Sequence, residues 1–468
     1  MALAVARRAS MGGVALLLAG SLAACGGHHR GAGPTPSAGR TPGLIGQHAC
    51  RQIKGFTCAW LVVPLDHAGM TRGMLRLAVG IQRVRRPVHG TLLFLTGGPG
   101  QPGVPLISRV VSRLETALSG YRLVMFDQRG TGSAALRCAA LQAAAGSSDL
   151  MVVPPADVAS CAREIGQRRR YFTTPETVAD IEALRIALRA SRLTIDGVSY
   201  GSYVAERYAL THPQHVARLV LDSVVPQQGA DPMYLAAIQA TAGVLRSACA
   251  QRHCRWDPAH DLQVLVRRDH DGPQLLNALV AESVAVPSFS EVLVPMHQAA
   301  DGHPQALNRF LAAIPRYESA PADELSQGLH ESTLCLDLGP PWNPDAPTHD
   351  RALALRRAVE RIPASSFYPF DRATAEGNGL AQGCLYWPPT PKPGVYDGDP
   401  SDDLPPVPVL LLAGERDLST PVAWAREEAA KAPVHKLVIV PGAGHSVQTR
   451  VRTPAIRRVL TQFLAGQN

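Results

Sequence analysis

"LTIDGVSYGSYVAERYAL", residues 193–210, decides the fold. Leu193, Ile195 and Val198 read as a short buried strand, and Tyr203–Leu210 reads as a helix. Between them stands Gly197-Val198-Ser199-Tyr200-Gly201, a G-x-S-x-G. A turn this tight leaves almost no room for side chains at its flanking positions, so glycine serves there. Ser199 is then held in a strained conformation with its hydroxyl displayed. The plainer reading is a glycine-rich turn that happens to contain a serine. With 41 glycines in 468 residues, the motif alone is weak and its surroundings must decide.

The surroundings repeat one pattern. "TLLFLT", Thr91–Thr96, is a continuous apolar run that ends in Gly97-Gly98-Pro99-Gly100. "YRLVMF", Tyr121–Phe126, runs into "DQRGTGS", and "RLVLDSVV" lies at Arg218–Val225. Helical patterns fall at Leu106–Leu118 and Thr177–Leu188. Continuous apolar strands alternating with helices predict a parallel sheet covered on both faces. An N-terminal strand pair is expected at Cys58–Pro64 and Leu75–Val84. The rhythm stops over residues 227–400, which give helical patterns and Pro-rich loops. It returns at "PVLLLA", 408–413, and "HKLVIV", 435–440, with a last helix at "PAIRRVLTQFLA". The expected architecture is a core of residues 47–226 and 401–468, interrupted by a mainly helical cap at 227–400. An insertion there lies over the C-terminal ends of the strands, where open α/β sheets bind ligands.

Three loops at that edge carry Ser199, Asp417 and His445. Their chemistry is complementary. A serine hydroxyl is a poor nucleophile near neutral pH, so an imidazole must take its proton. A carboxylate fixes the imidazole tautomer and stabilises the imidazolium. Asp222, at the end of the strand after the serine turn, is a rival for the acid. Asp417 is favoured because "GERDLSTP" places it in a glycine-acidic turn after the penultimate strand. Developing negative charge on the substrate oxygen needs preorganised donors. The N–H of Tyr200 is one, and "GGPG" supplies another at Gly98, with Gly97 as the near alternative. Asp127 is expected to pin its own loop, and Arg129 to hold that loop structurally.

Charge and composition narrow the class. The net charge is +8 with pI near 9.1, and only Lys54, Lys392, Lys431 and Lys436 among the 46 basic residues are lysines. The basic residues are scattered without interleaved aromatics, which argues against nucleic-acid binding. Residues 1–24 read as a signal peptide, with Arg7 and Arg8 before an apolar stretch at Gly12–Ala24. Leu22-Ala23-Ala24-Cys25 resembles a bacterial lipobox, so Cys25 is a candidate for lipidation and residues 26–46 are a Pro/Gly-rich tether. The alternative is ordinary secretion. His28-His29 belongs to that tether rather than to a metal site. Cys50, Cys58, Cys138, Cys161, Cys249, Cys254, Cys335 and Cys384 remain. An even count in an exported chain predicts disulfides. Pairing of sequential neighbours is expected, because those loops close at least entropic cost. No spacing implies a metal or a cofactor, and nothing fixes the oligomeric state.

The ordered set "GGPG", "DQRGTGS" and "GVSYGS" resembles prolyl-aminopeptidase-like serine peptidases of the α/β-hydrolase fold. The wider layout is similar to secreted tripeptidyl aminopeptidases of actinomycetes and related mycobacterial envelope hydrolases, including a C-terminal "LLLAGERDLSTP" segment. "TLCLD" at Thr333–Asp337 and "CLYWP" at Cys384–Pro388 resemble that family's cysteine pair across the cap. "QPG" after "GGPG", with Gln101 and Pro102, departs from the usual small run. The resemblance implies Ser199 as nucleophile, Asp417 as acid and His445 as base. It implies hydrolysis of peptides through an acyl-enzyme, with the free amine of the substrate read by carboxylates from the cap. Glu331 and Asp337 are the candidates; the alternative is that they are solvated surface charges. A carboxylesterase or lipase acting on acyl esters would use the same three residues, and a non-catalytic envelope protein would need none of them.

Overall fold

The computed structural model describes residues 43–343, 345–390, 399 and 402–467. The segment read as a signal peptide, Cys25 and most of the segment read as a tether therefore lie outside the described residues. Nine strands form one sheet: β1 (Leu44–Ala49), β2 (Phe56–Pro64), β3 (Met74–Gln82), β4 (Gly90–Leu95), β5 (Tyr121–Phe126), β6 (Leu193–Val198), β7 (Val216–Asp222), β8 (Val409–Gly414) and β9 (His435–Val440). Their order is β1-β2-β3-β5-β4-β6-β7-β8-β9. The first three pair antiparallel, β3 meets β5 antiparallel, and every later pair is parallel. β1 begins at Leu44, inside the segment read as tether. Its exposed, non-alternating "LIGQHA" takes strand form by pairing with β2 at the sheet edge.

The central strands are buried along their whole length, as a sheet covered on both faces requires. Period-two alternation divides them. Leu93 and Leu95 of β4 pack with Ile195, Tyr203 and Tyr208 on one face, while Leu92 and Phe94 pack with Ile107, Leu410 and Leu460 on the other. Each such side chain contributes ~1.5–3 kcal/mol on leaving water.

Between β7 and β8 the chain builds the expected cap of helices, from Leu235–Gln251 to Gly379–Tyr386, around a core of its own. The cysteines pair as sequential neighbours: Cys50–Cys58, Cys138–Cys161, Cys249–Cys254 and Cys335–Cys384. The last spans 49 residues and joins the cap helices Gln327–Asp337 and Gly379–Tyr386. Chain entropy makes it the most effective, about 4 kcal/mol against about 2 for a five-residue separation. Four disulfides fit an oxidising, extracytoplasmic compartment. Among the described residues no helix is long and apolar enough to cross a membrane.

Candidate active site

The strand register brings the candidate loops to one edge. Val198 of β6 pairs with Asp222 of β7, Asp222 with Leu412 of β8, and Gly414 with Val440 of β9. The loops that follow therefore emerge side by side. Ser199 has φ 57° and ψ −128°, a conformation that costs a non-glycine residue about 1–3 kcal/mol. Its N–H continues the ladder to Asp222 O at 2.9 Å. The flanking glycines are required by contact rather than by φ. A Cβ on Gly197 would sit 2.2 Å from Gly201 O, and one on Gly201 would sit 2.5 Å from Leu95 O. The strand and helix can meet this closely only without side chains.

Asp417 and His445 meet directly. His445 Nδ1 donates to Asp417 Oδ2 at 2.9 Å, which leaves Nε2 as the basic nitrogen. Asp417 is buried, and its oxygens also accept from Ser419 N, Thr420 N and Thr420 Oγ1 at 2.9, 2.9 and 2.6 Å. Burial works against its charge, but the His445 charge and these hydrogen bonds prevail, so its pKa lies below the ordinary value. Burial likewise disfavours the imidazolium of His445; Asp417 outweighs it and raises the His445 pKa above 6.5. Among the described residues no hydrogen bond links Ser199 Oγ to His445; such contacts commonly tighten only once substrate is bound.

Asp222 is placed differently from a partner acid. Its carboxylate accepts from Val447 N at 3.0 Å and Gln448 N at 2.8 Å, and Ser446 N donates to Ser223 Oγ at 2.7 Å. These bonds hold the chain just after His445. Gln448 Nε2 donates in turn to Asp196 Oδ1 at 2.6 Å. Asp127 reaches further than its own loop: Oδ1 accepts from Val104 N at 2.8 Å and so fixes the end of the loop after β4. Arg129 is structural, with Nε and Nη2 each 2.8 Å from Asp180 and Nη1 donating to Tyr171 O at 2.7 Å.

The loop after β4 passes over Ser199. A Cβ on Gly97 would lie 2.9 Å from Ser199 Cβ, and Gly98, at φ 107°, lines a cavity with Ser199 and Tyr200. Tyr200 opens the helix Tyr200–Thr211, the positive end of its dipole. Gln101 is accommodated in a closed turn: Thr96 Oγ1 donates to Gln101 O at 2.8 Å. The cap grips this loop. Ser326 N donates to Gly100 O at 3.0 Å, and His330 Nδ1 donates to Pro99 O at 3.1 Å.

The same cavity has about 50 Å³ of free volume, room for one or two waters. Its walls are mainly apolar, including Tyr203, Val225, Leu334, Leu338 and Trp424, with two carboxylates, Asp149 and Asp337. Asp337 also accepts from Thr174 N at 2.8 Å. Glu331 is not among the lining residues. It is buried with Oε2 3.3 Å from the disulfide sulfur of Cys335, and burial, reinforced by Asp149, pushes its pKa to about 8. Asp149 was not foreseen: it stands in "GSSDL" without any pattern around it. It lies 3.4 Å from His330 Nε2. Burial raises its pKa, against the charges of His330 and His445.

Two trios of potential metal ligands occur among the described residues. In Glu331-Cys335-Cys384 both cysteines are oxidised to a disulfide. In Glu182-His212-His215 the carboxylate is already held by Arg185 at 2.7 and 2.9 Å and by Tyr208 at 2.8 Å.

Residues 90–270 match the α/β hydrolase fold family, and residues 368–467 match the TAP-like protein family. The chain has the α/β-hydrolase fold. Its C-terminal part is TAP-like, and it is distantly homologous to tripeptidyl aminopeptidases, the serine protease Hip1 and proline iminopeptidases. It is 32% identical to a tripeptidyl aminopeptidase of Streptomyces coelicolor over 192 residues, 37% of this chain and 36% of that protein. It is 28% identical to serine protease Hip1 of Mycobacterium tuberculosis over 260 residues, 48% of this chain and 47% of the relative. A probable proline iminopeptidase of Streptomyces coelicolor shares 34% identity over 174 residues, 36% of this chain and 43% of the relative. The α/β-hydrolase spans less than half the length of each of these relatives.

Proposed function

We propose that this chain is an exported serine hydrolase, an aminopeptidase that releases short N-terminal fragments from peptides. Ser199 Oγ attacks the carbonyl carbon while His445 Nε2 takes its proton. The N–H groups of Gly98 and Tyr200 receive the oxyanion. Collapse breaks the C–N bond, and His445 returns the proton to the leaving amine. Water then attacks the acyl-enzyme with His445 again as base, and Ser199 is regenerated.

The observation that supports an aminopeptidase is the pair Asp149 and Asp337 opening on the cavity that holds Ser199 and Gly98. A substrate ammonium between them adds a counter-charge that favours the ionised form of Asp149 against its burial. Glu331, with its pKa pushed to about 8, is protonated near neutral pH and adds no charge to that pair. The cavity volume is well short of the roughly 300 Å³ at which ligand pockets begin, so the site widens to admit substrate. In this reading residues 1–24 direct export, Cys25 carries the lipid, and residues 25–46 tether the hydrolase to the envelope.

The mainly apolar lining favours a second reading, a carboxylesterase that places an acyl chain where the first places peptide side chains. Paired peptides with free or acetylated N-termini separate the two. Mass spectrometry is expected to find N-terminal fragments only from free peptides, and none with Ser199→Ala. Turnover of acyl esters through Ser199 with both peptide sets intact would establish the esterase instead.

A further inference from the structure

A second cavity borders His445, and its chemistry is the opposite of the first. It has about 390 Å³ of free volume, within the range of small-ligand pockets. Arg109, Arg113, Arg450 and Arg452 line it, together with His445 and Thr449, and no carboxylate does. Among the described residues none of the four arginines forms an ion pair with an acid. Arg450 Nη1 donates only to a backbone carbonyl, Val284 O at 2.9 Å. Desolvation, and after it the charge of Arg109, pulls the Arg450 pKa down. The two guanidiniums repel each other, and an anion between them relieves that repulsion.

The position of this cavity in the chain gives it a role. Arg109 and Arg113 sit on the helix Ile107–Leu114, which follows the Gly97–Gly103 loop over Ser199. Arg450 and Arg452 follow the turn that carries His445. The walls are thus continuations of the two loops between which a carbonyl would be attacked. The departing fragment must emerge toward His445, because His445 hands it a proton. We propose that the arginine cavity is the leaving-group subsite, and that it takes a carboxylate carried by the departing fragment. The inference rests on the serine-hydrolase reading above and deepens it: the preferred substrates are short chains whose negative end lies close to the scissile bond. At ~3.5 Å per extended residue, a carboxylate one or two residues beyond that bond is the natural fit.

The test compares the full chain on three free-amine peptides that share the released fragment. Their leaving portions are one or two residues ending as a free acid, as an amide, or as an amide with an aspartate side chain. The expected kcat/KM is about tenfold higher for the acid than for the neutral amide, the size that a few solvent-accessible ion pairs give. The preference should shrink in 0.5 M salt and fall to near one in the Arg109→Gln/Arg450→Gln double variant, with the Lys/Lys variant retaining much of it. Because the readout is a ratio within each variant, a general loss of activity does not imitate it, and thermal melting reports the fold. An aspartate amide preferred as strongly as the free acid would make the side chain the source of the anion; preference for the free acid alone would make it the chain end. A ratio near one in the wild type, or one that the double variant leaves unchanged, overturns the proposal. Where no peptide is cleaved, the peptidase reading fails separately. The same ratio is then read on acyl esters whose alcohol is neutral or bears a carboxylate. Preference for the anionic alcohol supports the subsite, and equal rates overturn it.

Discussion

The two cavities at the strand edge are a contrast in electrostatics built on one scaffold. The one around Ser199 is small, mainly apolar and acidic through Asp149 and Asp337. The one beside His445 is larger, open and lined by four arginines. The acids of the first come from the end of the cap helix Gln327–Asp337 and from the segment before the helix Pro155–Ile165, whereas the arginines of the second come from the hydrolase core. A peptide has a positive end and a negative end. A site with acid on one side and arginine on the other fixes the direction in which the chain lies, before any side chain is read. Uniform charge would attract substrate without orienting it.

The largest effect that would break this picture is at the shared centre. If both cavities serve one reaction, Ser199→Ala removes the nucleophile for every substrate. The expected loss in kcat is at least about 10⁴-fold, with no labelling by a fluorophosphonate. Retained turnover would divorce the cavities from Ser199. Asp417→Asn should cost about as much, near 10⁴-fold, because the amide favours the wrong imidazole tautomer. Asp222→Asn should cost far less, about tenfold, because it loosens only the backbone behind His445. A reversal of these two, measured as kcat on one substrate, would make Asp222 the functional acid.

The acidic cavity is sharpened next. Asp149→Asn and Asp337→Asn each remove a charge from the side proposed to hold the substrate amine. A charge-assisted hydrogen bond of about 1.5–3 kcal/mol corresponds to roughly 10–100-fold in kcat/KM. The loss is expected on free-amine peptides, so the ratio of free to acetylated substrate should fall. Equal loss on both sets would mean that these carboxylates only shape the cavity.

What could be read from the sequence follows the same divide. Ser199, Asp417 and His445 each sit at the end of an apolar run, and a strand end is a local pattern. The helices Ile107–Leu114 and Thr174–Ala187 fall where the periodicity places them but differ by three or four residues at one end, and the cysteine pairs follow the rule that neighbours in sequence close the cheapest loops. Asp149 escaped because its surroundings come from His330 and the cap, far away in the chain. Glu331 and Asp337 could have been told apart: six residues on one helix are about 120° apart around its axis, so both cannot face one cavity. The register puts Asp337 on the cavity and Glu331 against the disulfide. β1 was missed because an edge strand needs only a partner, not an alternating pattern.

The smallest expected effect is also the one that couples the two sides. As the proposed base, His445 works only when neutral, and its pKa is held above 6.5 by Asp417 in spite of burial. kcat/KM should therefore fall as pH drops through a value above 6.5, not below it. The Arg450 charge pulls in the other direction, lowering the His445 pKa. Arg450→Gln removes that pull, so on the neutral-amide peptide, which does not engage the arginines, the acid limb should move to higher pH while the rates at alkaline pH converge with those of the wild type. The sign follows from the charge alone. A limb that stays in place would mean that solvent screens Arg450 from His445. The arginine cavity could then orient a substrate without tuning the base that cleaves it. A limb that moves up ties both functions to one guanidinium. An anionic leaving group, by neutralising Arg450, would then shift the same limb upward in the wild type.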